Sequence, residues 1–600
     1  MRQIIETEGL TRVFHGRRAV DGLNLRVAAG EIFGLLGPNG AGKTTTIHML
    51  TTLLAPSGGR ALVCGLDVSR QAAEVRRRIG YVSQEKGVRH LLTGRESVEI
   101  EADLNHVPRR SRGQRVEEVL DVVGLLPDAD RFVADYSGGM QKRLDLACGL
   151  IQVPELLILD EPTLGLDVQS RHRIWEHMAG LRDQGVTVLL ATNYLDEADR
   201  LCDRIMIVDV GREVVTGSPA ELRRTVGTEV VQISAAEPDK VRAAVEGAVP
   251  ARRIAVAGPR ELHVHLDDAA AALPEVIAAT VRHGVVLDGV SVSRPTLDDV
   301  FLLHTGRGLR DLTDAPAPSP APRSPRAGTA AGSAPPASHA GLRLRLQEIG
   351  ALLRRWVLQL GRERLNLAFT LIQPVIWLVF LGGAIARAVD PGVVGTGDYI
   401  AFMLPGVIAF TIVGTGISGA VPFLWDKETG YLNKLMSMPI GRSSLLVSRL
   451  IFQMALGALQ ALAILVVSAI LGVRVATAVP GSLLVLLVAG LLTTALTALF
   501  LALACRVPGH TTFFAVTGFV SLPILFMSNA FVPVPAMPTW MGALARANPL
   551  TYAIESMRIL VIEGWRPGLA GHLAALTAFA AACLGLGVHQ FRRHTVGGRE

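Results

Sequence analysis

Cysteine is scarce, with five in 600 residues, Cys64, Cys148, Cys202, Cys505 and Cys583, and none at a paired spacing. That excludes a disulfide framework and leaves no cysteine-based zinc pattern, so the five read as small buried apolar side chains. The positive excess is small, +6 in net charge, and the arginines are dispersed instead of forming a basic patch, which argues against nucleic acid as a partner. The amino terminus, Met1-Arg2-Gln3-Ile4-Ile5-Glu6-Thr7-Glu8, lacks the apolar core of a secretory signal, so the first domain is expected to remain in the cytosol. Ionisable residues are nearly missing from the centres of the long apolar runs after residue 341, which argues against a proton relay or an ion-selective path.

Three phosphate-handling motifs do stand in the chain, in one order. Gly37-Pro38-Asn39-Gly40-Ala41-Gly42-Lys43-Thr44 matches the P-loop pattern and is followed by Thr45. Its glycines let the backbone bend at positive φ and turn several N–H groups toward one phosphate. Lys43 is expected on the β and γ phosphates, and the Thr44 hydroxyl on Mg²⁺ as a helix begins. Tyr136-Ser137-Gly138-Gly139-Met140-Gln141 comes next, and Leu156-Leu157-Ile158-Leu159-Asp160-Glu161-Pro162 closes the set. Four apolar residues there form a buried strand that delivers Asp160 toward the metal and Glu161 toward an attacking water, as general base. Gln84, after Tyr81-Val82, is placed to reach Mg²⁺ or that water. Together the motifs imply binding and hydrolysis of ATP.

Apolar content is uneven along the chain and 600 residues exceed one core, so at least two domains are expected. Residues 1–217 alternate strand-length apolar runs (32–36, 156–159, 186–191, 205–208) with helical patterns, with a helical insertion over 85–135. Residues 218–305 read as a small α+β appendage with strands at 229–233, 262–266 and 285–292. Residues 306–341 are rich in Pro, Ala, Ser and Gly, as a tether would be. Residues 343–364 have leucines and tryptophan at helical spacing between arginines, fitting an amphipathic helix on the cytoplasmic membrane face, although a surface helix would carry the same pattern. Six spans are expected within 342–600, at 367–386, 399–421, 445–471, 483–504, 512–531 and 569–588. An outer segment with Pro533, Pro535 and Pro538, continuing through 548–564, is too interrupted to cross and reads as re-entrant or interfacial. Arg354, Arg355, Arg362, Arg364, Lys427, Lys434, Arg442, Arg449, Arg592 and Arg593 fall on the side expected to be cytoplasmic.

With these motifs in hand, the first 305 residues resemble the ATP-binding subunit of ATP-binding cassette (ABC) transporters, and within them the daunorubicin/doxorubicin-resistance ATPases. The resemblance is carried by Tyr136-Ser137-Gly138-Gly139-Met140 as signature loop, residues 163–167 as D-loop, Tyr194-Leu195-Asp196-Glu197-Ala198-Asp199, and Thr296-Leu297-Asp298-Asp299-Val300-Phe301. It implies a P-loop α/β NTPase with a helical subdomain, in which two copies meet head to tail. Each ATP then lies between one P-loop and the other copy's Ser137, Gly138 and Gly139. Phe14 corresponds to the aromatic that stacks on adenine, a place a core phenylalanine would also fill. Two departures stand out: Tyr136 and Met140 replace the commoner Leu and Gln, and Asn193 occupies the switch-histidine position. Asparagine can donate to the γ phosphate but cannot titrate, so catalysis is expected to lean on Glu161.

Residues 342–600 resemble an ABC type-2 permease, an all-α membrane domain, through their spans and two weaker motifs. One is Asp426-Lys427-Glu428-Thr429-Gly430-Tyr431-Leu432-Asn433-Lys434-Leu435, the expected docking loop for the ATPase, with Glu428 as its coupling residue. The other is Asn548-Pro549-Leu550-Thr551-Tyr552 with Arg558. Gly414 and Ser418 have the small-residue spacing of close helix contacts, and Gln373, Thr411, Ser418, Gln453, Gln460, Thr493 and Thr497 are expected mainly to hydrogen-bond helix to helix. The whole implies a multi-pass plasma-membrane protein with the ATPase and both termini cytosolic. It is expected to work as a homodimer exporting an apolar or amphipathic, drug-like molecule. Export of lipid or polysaccharide, and a membrane-anchored regulatory ATPase, are the competing readings.

Overall fold

In the computed structural model of the chain, the residues described are 2–84, 90–226, 229–249, 251, 253–258, 260–305, 339–386 and 399–596. The tether expected over 306–341 therefore lies outside them, except for its last three positions. The central sheet runs in the order Arg212–Gly217, Arg204–Asp209, Ile32–Leu36, Thr187–Thr192, Leu156–Asp160, Ile79–Val82. Every pair is parallel except the outer pair made by Arg212–Gly217. These strands are continuous apolar runs because both faces are covered. Ile32, Leu36, Leu157, Leu159, Val188 and Leu190 point into one core, while Phe33, Leu35, Ile158, Leu189 and Ala191 point into the other. The second of these cores is closed by an antiparallel sheet built around the long strand Gln3–Phe14.

The register aligns the motifs. Leu36 pairs with Thr192, Ala191 with Asp160, and Leu159 with Val82. Gly37, Asn193, Glu161 and Gln84 consequently emerge side by side at the carboxyl edge of the sheet, where α/β proteins bind ligands.

The helical insertion is present as Gly94–Leu104 and Arg109–Val122, and the signature loop opens the helix Gly138–Leu150. Gly94–Leu104 begins at a full capping box in which the Thr93 side chain accepts from Glu96 N–H and Glu96 reaches back to Thr93 N–H. Tyr136 is buried in this subdomain, its hydroxyl donating to the Asp128 carbonyl at 2.7 Å. A side chain at Gly94 would begin 2.2 Å from that hydroxyl, so the tyrosine in the signature depends on glycine at 94.

The appendage is a four-stranded antiparallel sheet in the order Arg253–Gly258, Glu261–Leu266, Glu229–Ala235, Leu287–Ser293. The strand Arg253–Gly258 was missed in sequence, where alanines and arginines hide its alternation. Its last helix, Leu297–Thr305, turns back onto the ATPase: Leu297, Val300 and Phe301 belong to the same buried cluster as Leu157 and Leu190.

Among the described residues, four helices are long and apolar enough to cross a membrane, Tyr399–Glu428, Arg442–Ile470, Ala478–Arg506 and Gly568–Arg593, with shorter apolar helices at Ala368–Ala384 and His510–Phe526. The expected span 512–531 is shortened to a helix of 17 residues ending at Phe526, about 26 Å long against the ~30 Å of hydrocarbon. Asn548 caps that turn, accepting from Leu550 N–H and donating to the carbonyls of Ile524 and Met527. The helix Pro549–Arg558 then packs within the helical core, with Ala553, Ile554 and Met557 fully buried.

Close helix approach is not at Gly414, around which a side chain would meet open space. It is at Gly416 and Gly419, where a Cβ would lie 2.9 Å from Leu496 and 2.8 Å from Gln453. The helical period puts 416 and 419, not 414, on the inward stripe. Thr415 donates to Gln460 at 2.6 Å, so Gln460 joins helix to helix as expected.

Candidate functional site

Gly42 caps the helix Lys43–Leu50 with φ 103°, and Gly40 has φ 81°. Both conformations favour glycine, and at Gly42 a Cβ would also lie 2.6 Å from the Ala19 carbonyl. Lys43 is buried; its ammonium donates to the carbonyls of Gly37 (2.7 Å) and Pro38 (3.2 Å) and stands 3.5 Å from Glu161. Burial lowers its pKa, against the pull of Glu161 in the other direction. A phosphate entering the loop would take over this ammonium from the carbonyls.

Glu161 adopts φ 48°, rare for a residue with a side chain. Its N–H donates to the Ala191 carbonyl, which holds the strand end in this strained state at an expense of roughly 1–3 kcal/mol. The Gln84 amide donates to Glu161 Oε2 at 2.9 Å, so these two, separated by 77 positions, form one unit. The Thr44 hydroxyl donates to Asp160 Oδ1 at 3.3 Å, and Asp160 Oδ2 is buried without a hydrogen-bond partner among the described residues. Burial raises the Asp160 carboxyl to about 6, with Thr44 opposing. A hydroxyl beside an orphaned carboxylate oxygen, next to the phosphate loop, fits Mg²⁺, which prefers oxygen ligands. Thr44 and Asp160 are the residues that would hold it, with Gln84 at the rim.

Asn193 is half-buried and its Oδ1 lacks a partner among the described residues. Asn39 is exposed at the loop tip, and Pro38 and Ala41 are buried beneath it. Thr45 is half-buried in the first helical turn. Phe14 ends the strand Gln3–Phe14 at the edge of the second core, with the Arg12 guanidinium 4.6 Å over one ring face.

The signature residues lie apart from this cluster. Ser137 is exposed and caps the helix Gly138–Leu150 by accepting from Met140 N–H. Gly139 is needed for packing, because a Cβ there would lie 2.5 Å from the Ser170 hydroxyl, which the D-loop residue Asp167 holds. Among the described residues, no hydrogen bond or ion pair joins Ser137, Gly138 or Gly139 to the P-loop of the same chain. The link between them is Lys142, which was not singled out in sequence. Its buried ammonium donates to the Gln84 carbonyl at 2.8 Å, tying the signature helix to the segment that contacts Glu161.

A second functional surface joins the two halves. The helix His339–Arg362 does not simply lie over apolar surface: Arg354 pairs with Glu99 (2.7 Å), Arg362 with Glu96 (2.6 Å) and Glu348 with His106 (3.0 Å). Two of these three partnerships come from arginines, Arg354 and Arg362, whose charge had suggested topology alone. Arg362 holds the Glu96 carboxyl below its usual range despite burial. The short helix Tyr431–Ser437 brings Lys434 to Glu101 (2.9 Å) and Asp145 (3.5 Å), all three buried. Around these pairs Leu92, Ile100 and Leu104 of the ATPase close on Leu352, Tyr431, Leu435 and Met438. Glu428 takes no part. Its carboxylate accepts from His510 N–H and lies 2.8 Å from His510 Nδ1, inside the membrane half, because Gly430 turns the chain before the docking helix begins. Glu96, Glu99 and Glu101 were legible only as charges on a helix; nothing in sequence aims them at partners more than 250 positions away.

Residues 20–164 match the ABC transporter family model, residues 217–305 the C-terminal domain of ATP-binding protein DrrA1-3-like, and residues 347–562 the ABC-2 type transporter model. The chain is 42% identical over 308 residues to the daunorubicin resistance ATP-binding protein DrrA2 of Streptomyces coeruleorubidus, covering 50% of this chain and 95% of that one. It is also 42% identical over 313 residues to the daunorubicin/doxorubicin resistance ATP-binding protein DrrA of Streptomyces peucetius, with 51% and 94% covered. The Nod factor export ATP-binding protein I of Ralstonia nicotianae is 37% identical over 314 residues, with 51% and 95% covered. Each of these relatives aligns with about half of this chain and nearly all of its own length.

Proposed function

The chain belongs to the ABC transporter family and joins its ATP-hydrolysing half to an ABC-2 type membrane half, and on that footing we propose that two copies of it export a drug-like, apolar or amphipathic molecule across the plasma membrane. The ATPase and both termini face the cytosol. In this reading ATP lies on Gly37, Pro38, Asn39, Gly40, Ala41, Gly42, Lys43, Thr44 and Thr45 of one copy, with Phe14 against the base. It is covered by Ser137, Gly138 and Gly139 of the other copy. Thr44 and Asp160, with Gln84 near, would hold Mg²⁺, which would supply charge neutralisation to the phosphates. Glu161 accepts the proton of the attacking water, and Gln84 and Asn193 orient groups around the γ phosphate.

The observation that carries the reading is the separation within one chain. The P-loop, Asp160, Glu161 and Gln84 converge, while Ser137 stands exposed at another helix start. A second copy completes the site. Closure of that seam would move Gln84 and Lys142, and through the subdomain helix Gly94–Leu104 the docking residues Lys434 and Arg354. The drug class is carried over from the names of the relatives. In lipid vesicles, ATPase activity should rise with an anthracycline. Glu161→Gln should lower turnover about 10²–10⁴-fold, the range for losing a general base, and trap a nucleotide-loaded dimer by sedimentation. A chain that stays monomeric when Glu161→Gln is loaded with ATP and Mg²⁺ would overturn the proposal.

A further inference from the structure

The appendage holds a cluster that the nucleotide chemistry does not use. Along Glu261–Leu266 the residues Leu262, Val264 and Leu266 point into the appendage core. His263 and His265 therefore share the opposite face of the sheet. There the helix Leu297–Thr305 brings in Asp299. One ligating atom from each of His263, His265 and Asp299 falls within 4.8 Å of the others, and all three residues are buried. His265 is fully buried and neither of its ring nitrogens has a hydrogen-bond partner among the described residues.

We propose that His263, His265 and Asp299 form a binding site for a divalent transition metal, with Zn²⁺ as the fitting ion, that clamps the helix Leu297–Thr305 to the appendage sheet. Each donor is disposed for that work. Asp299 Oδ2 is occupied by the Thr296 N–H and hydroxyl, both at 2.8 Å, which leaves Oδ1 facing His263 Nδ1 at 2.7 Å. His263 Nε2 lies 2.9 Å from Glu261 Oε1, the arrangement in which a ligating histidine gives its other N–H to a carboxylate and is fixed in orientation by it. His265 then supplies the third ligand. Two imidazoles and a carboxylate suit Zn²⁺, whose bonds are about 2.0–2.2 Å, with a fourth position for water. Tetrahedral angles would widen the His263–Asp299 pair by roughly half an ångström. A mere ion pair between His263, Asp299 and Glu261 accounts for three side chains but leaves His265 an unsatisfied imidazole at a fully buried strand position, where a β-branched apolar residue would serve better.

Bound metal would pin the helix whose Val300 and Phe301 sit in the ATPase core, so occupancy is felt outside the appendage. The test uses the full chain in detergent, stripped with a chelator and titrated with Co²⁺, then displaced by Zn²⁺. We expect one Co²⁺ per chain with the visible absorption of a tetrahedral site, displaced by one Zn²⁺, and a rise in melting temperature on binding. His265→Val should lose that equivalent, weakening binding by about 10–100-fold or more, while melting without metal no lower than the parent. Asp299→Asn, which keeps an acceptor for Thr296, should weaken binding as well. Absence of a tetrahedral Co²⁺ spectrum at one equivalent, or equal binding by His265→Val and the parent, overturns the proposal.

Discussion

Burial raises the Asp160 carboxyl to about 6 from a usual 3.8. Where the folded value lies above the unfolded one, ionising the group opposes the fold as pH rises between them, and the protonated form is favoured below. Metal on Asp160 requires the ionised form. Affinity for Mg²⁺-nucleotide should therefore fall as pH drops through about 6, by up to about one log unit per pH unit, with proton release on binding that approaches one only well below that value. Calorimetric titration in buffers of different ionisation heat checks this, and Asp160→Asn should abolish the proton release along with most of the affinity. Asn193 emerges beside Gly37 through the pairing of Leu36 with Thr192, so a longer side chain there reaches toward the same phosphate position. Asn193→His is expected to keep or raise ATPase activity, measured as phosphate release in vesicles; complete loss would mean that Asn193 serves another purpose. The positive φ of Glu161 was invisible in sequence, since neither Glu nor Pro162 announces it. The strain arises from Glu161 N–H bonding across to Ala191.

The docking helix Tyr431–Ser437 concentrates the joint between the halves in one buried triad, Lys434 with Glu101 and Asp145. Removing one member of a buried ion pair leaves charges without compensation, an effect of about 3–5 kcal/mol. Lys434→Met should thus weaken the joint itself: substrate transport in vesicles should drop at least tenfold while ATPase activity falls less. Glu428→Lys, by contrast, disturbs only the pairing with His510. It should leave the ratio of transport to hydrolysis near that of the parent. The helix Gly94–Leu104 makes the other half of the joint. Glu96, Glu99 and Glu101 lie on it at spacings that spread them around its surface, facing Arg362, Arg354 and Lys434 in turn. Helical periodicity made the element legible, but an acidic helix surface reads the same whether it meets solvent or three cations.

Across the molecule the appendage and the ATPase share a core, since Leu297, Val300 and Phe301 belong to the buried cluster that also holds residues of the central sheet. Phe301→Ala, at a fully buried position, should destabilise by about 3–5 kcal/mol. The loss should appear in the unfolding of the ATPase and the appendage together, followed by denaturation of the full chain in detergent. An appendage that melts alone, leaving the ATPase transition unchanged, would show that the shared cluster does not couple them. The membrane half has its own core, centred on Tyr399–Glu428 and Ala478–Arg506, and meets the ATPase through the pairs already described and the apolar cluster around Leu352 and Tyr431.

The phosphate loop, the Asp160-Glu161 strand, the parallel α/β plan and the long apolar helices could all be read from residue order, because each is a local pattern: glycines at fixed offsets, unbroken apolar strands, runs of about twenty lipid-soluble residues. Local signals also ranked Gly414 above Gly416 and Glu428 above Lys434, and passed over Lys142, His263 and His265. Those choices depend on which face of a helix or strand turns inward and on what stands opposite. Such contacts join positions far apart in the chain, and they exist only once packing has excluded water and left each buried charge or ring to find its partner.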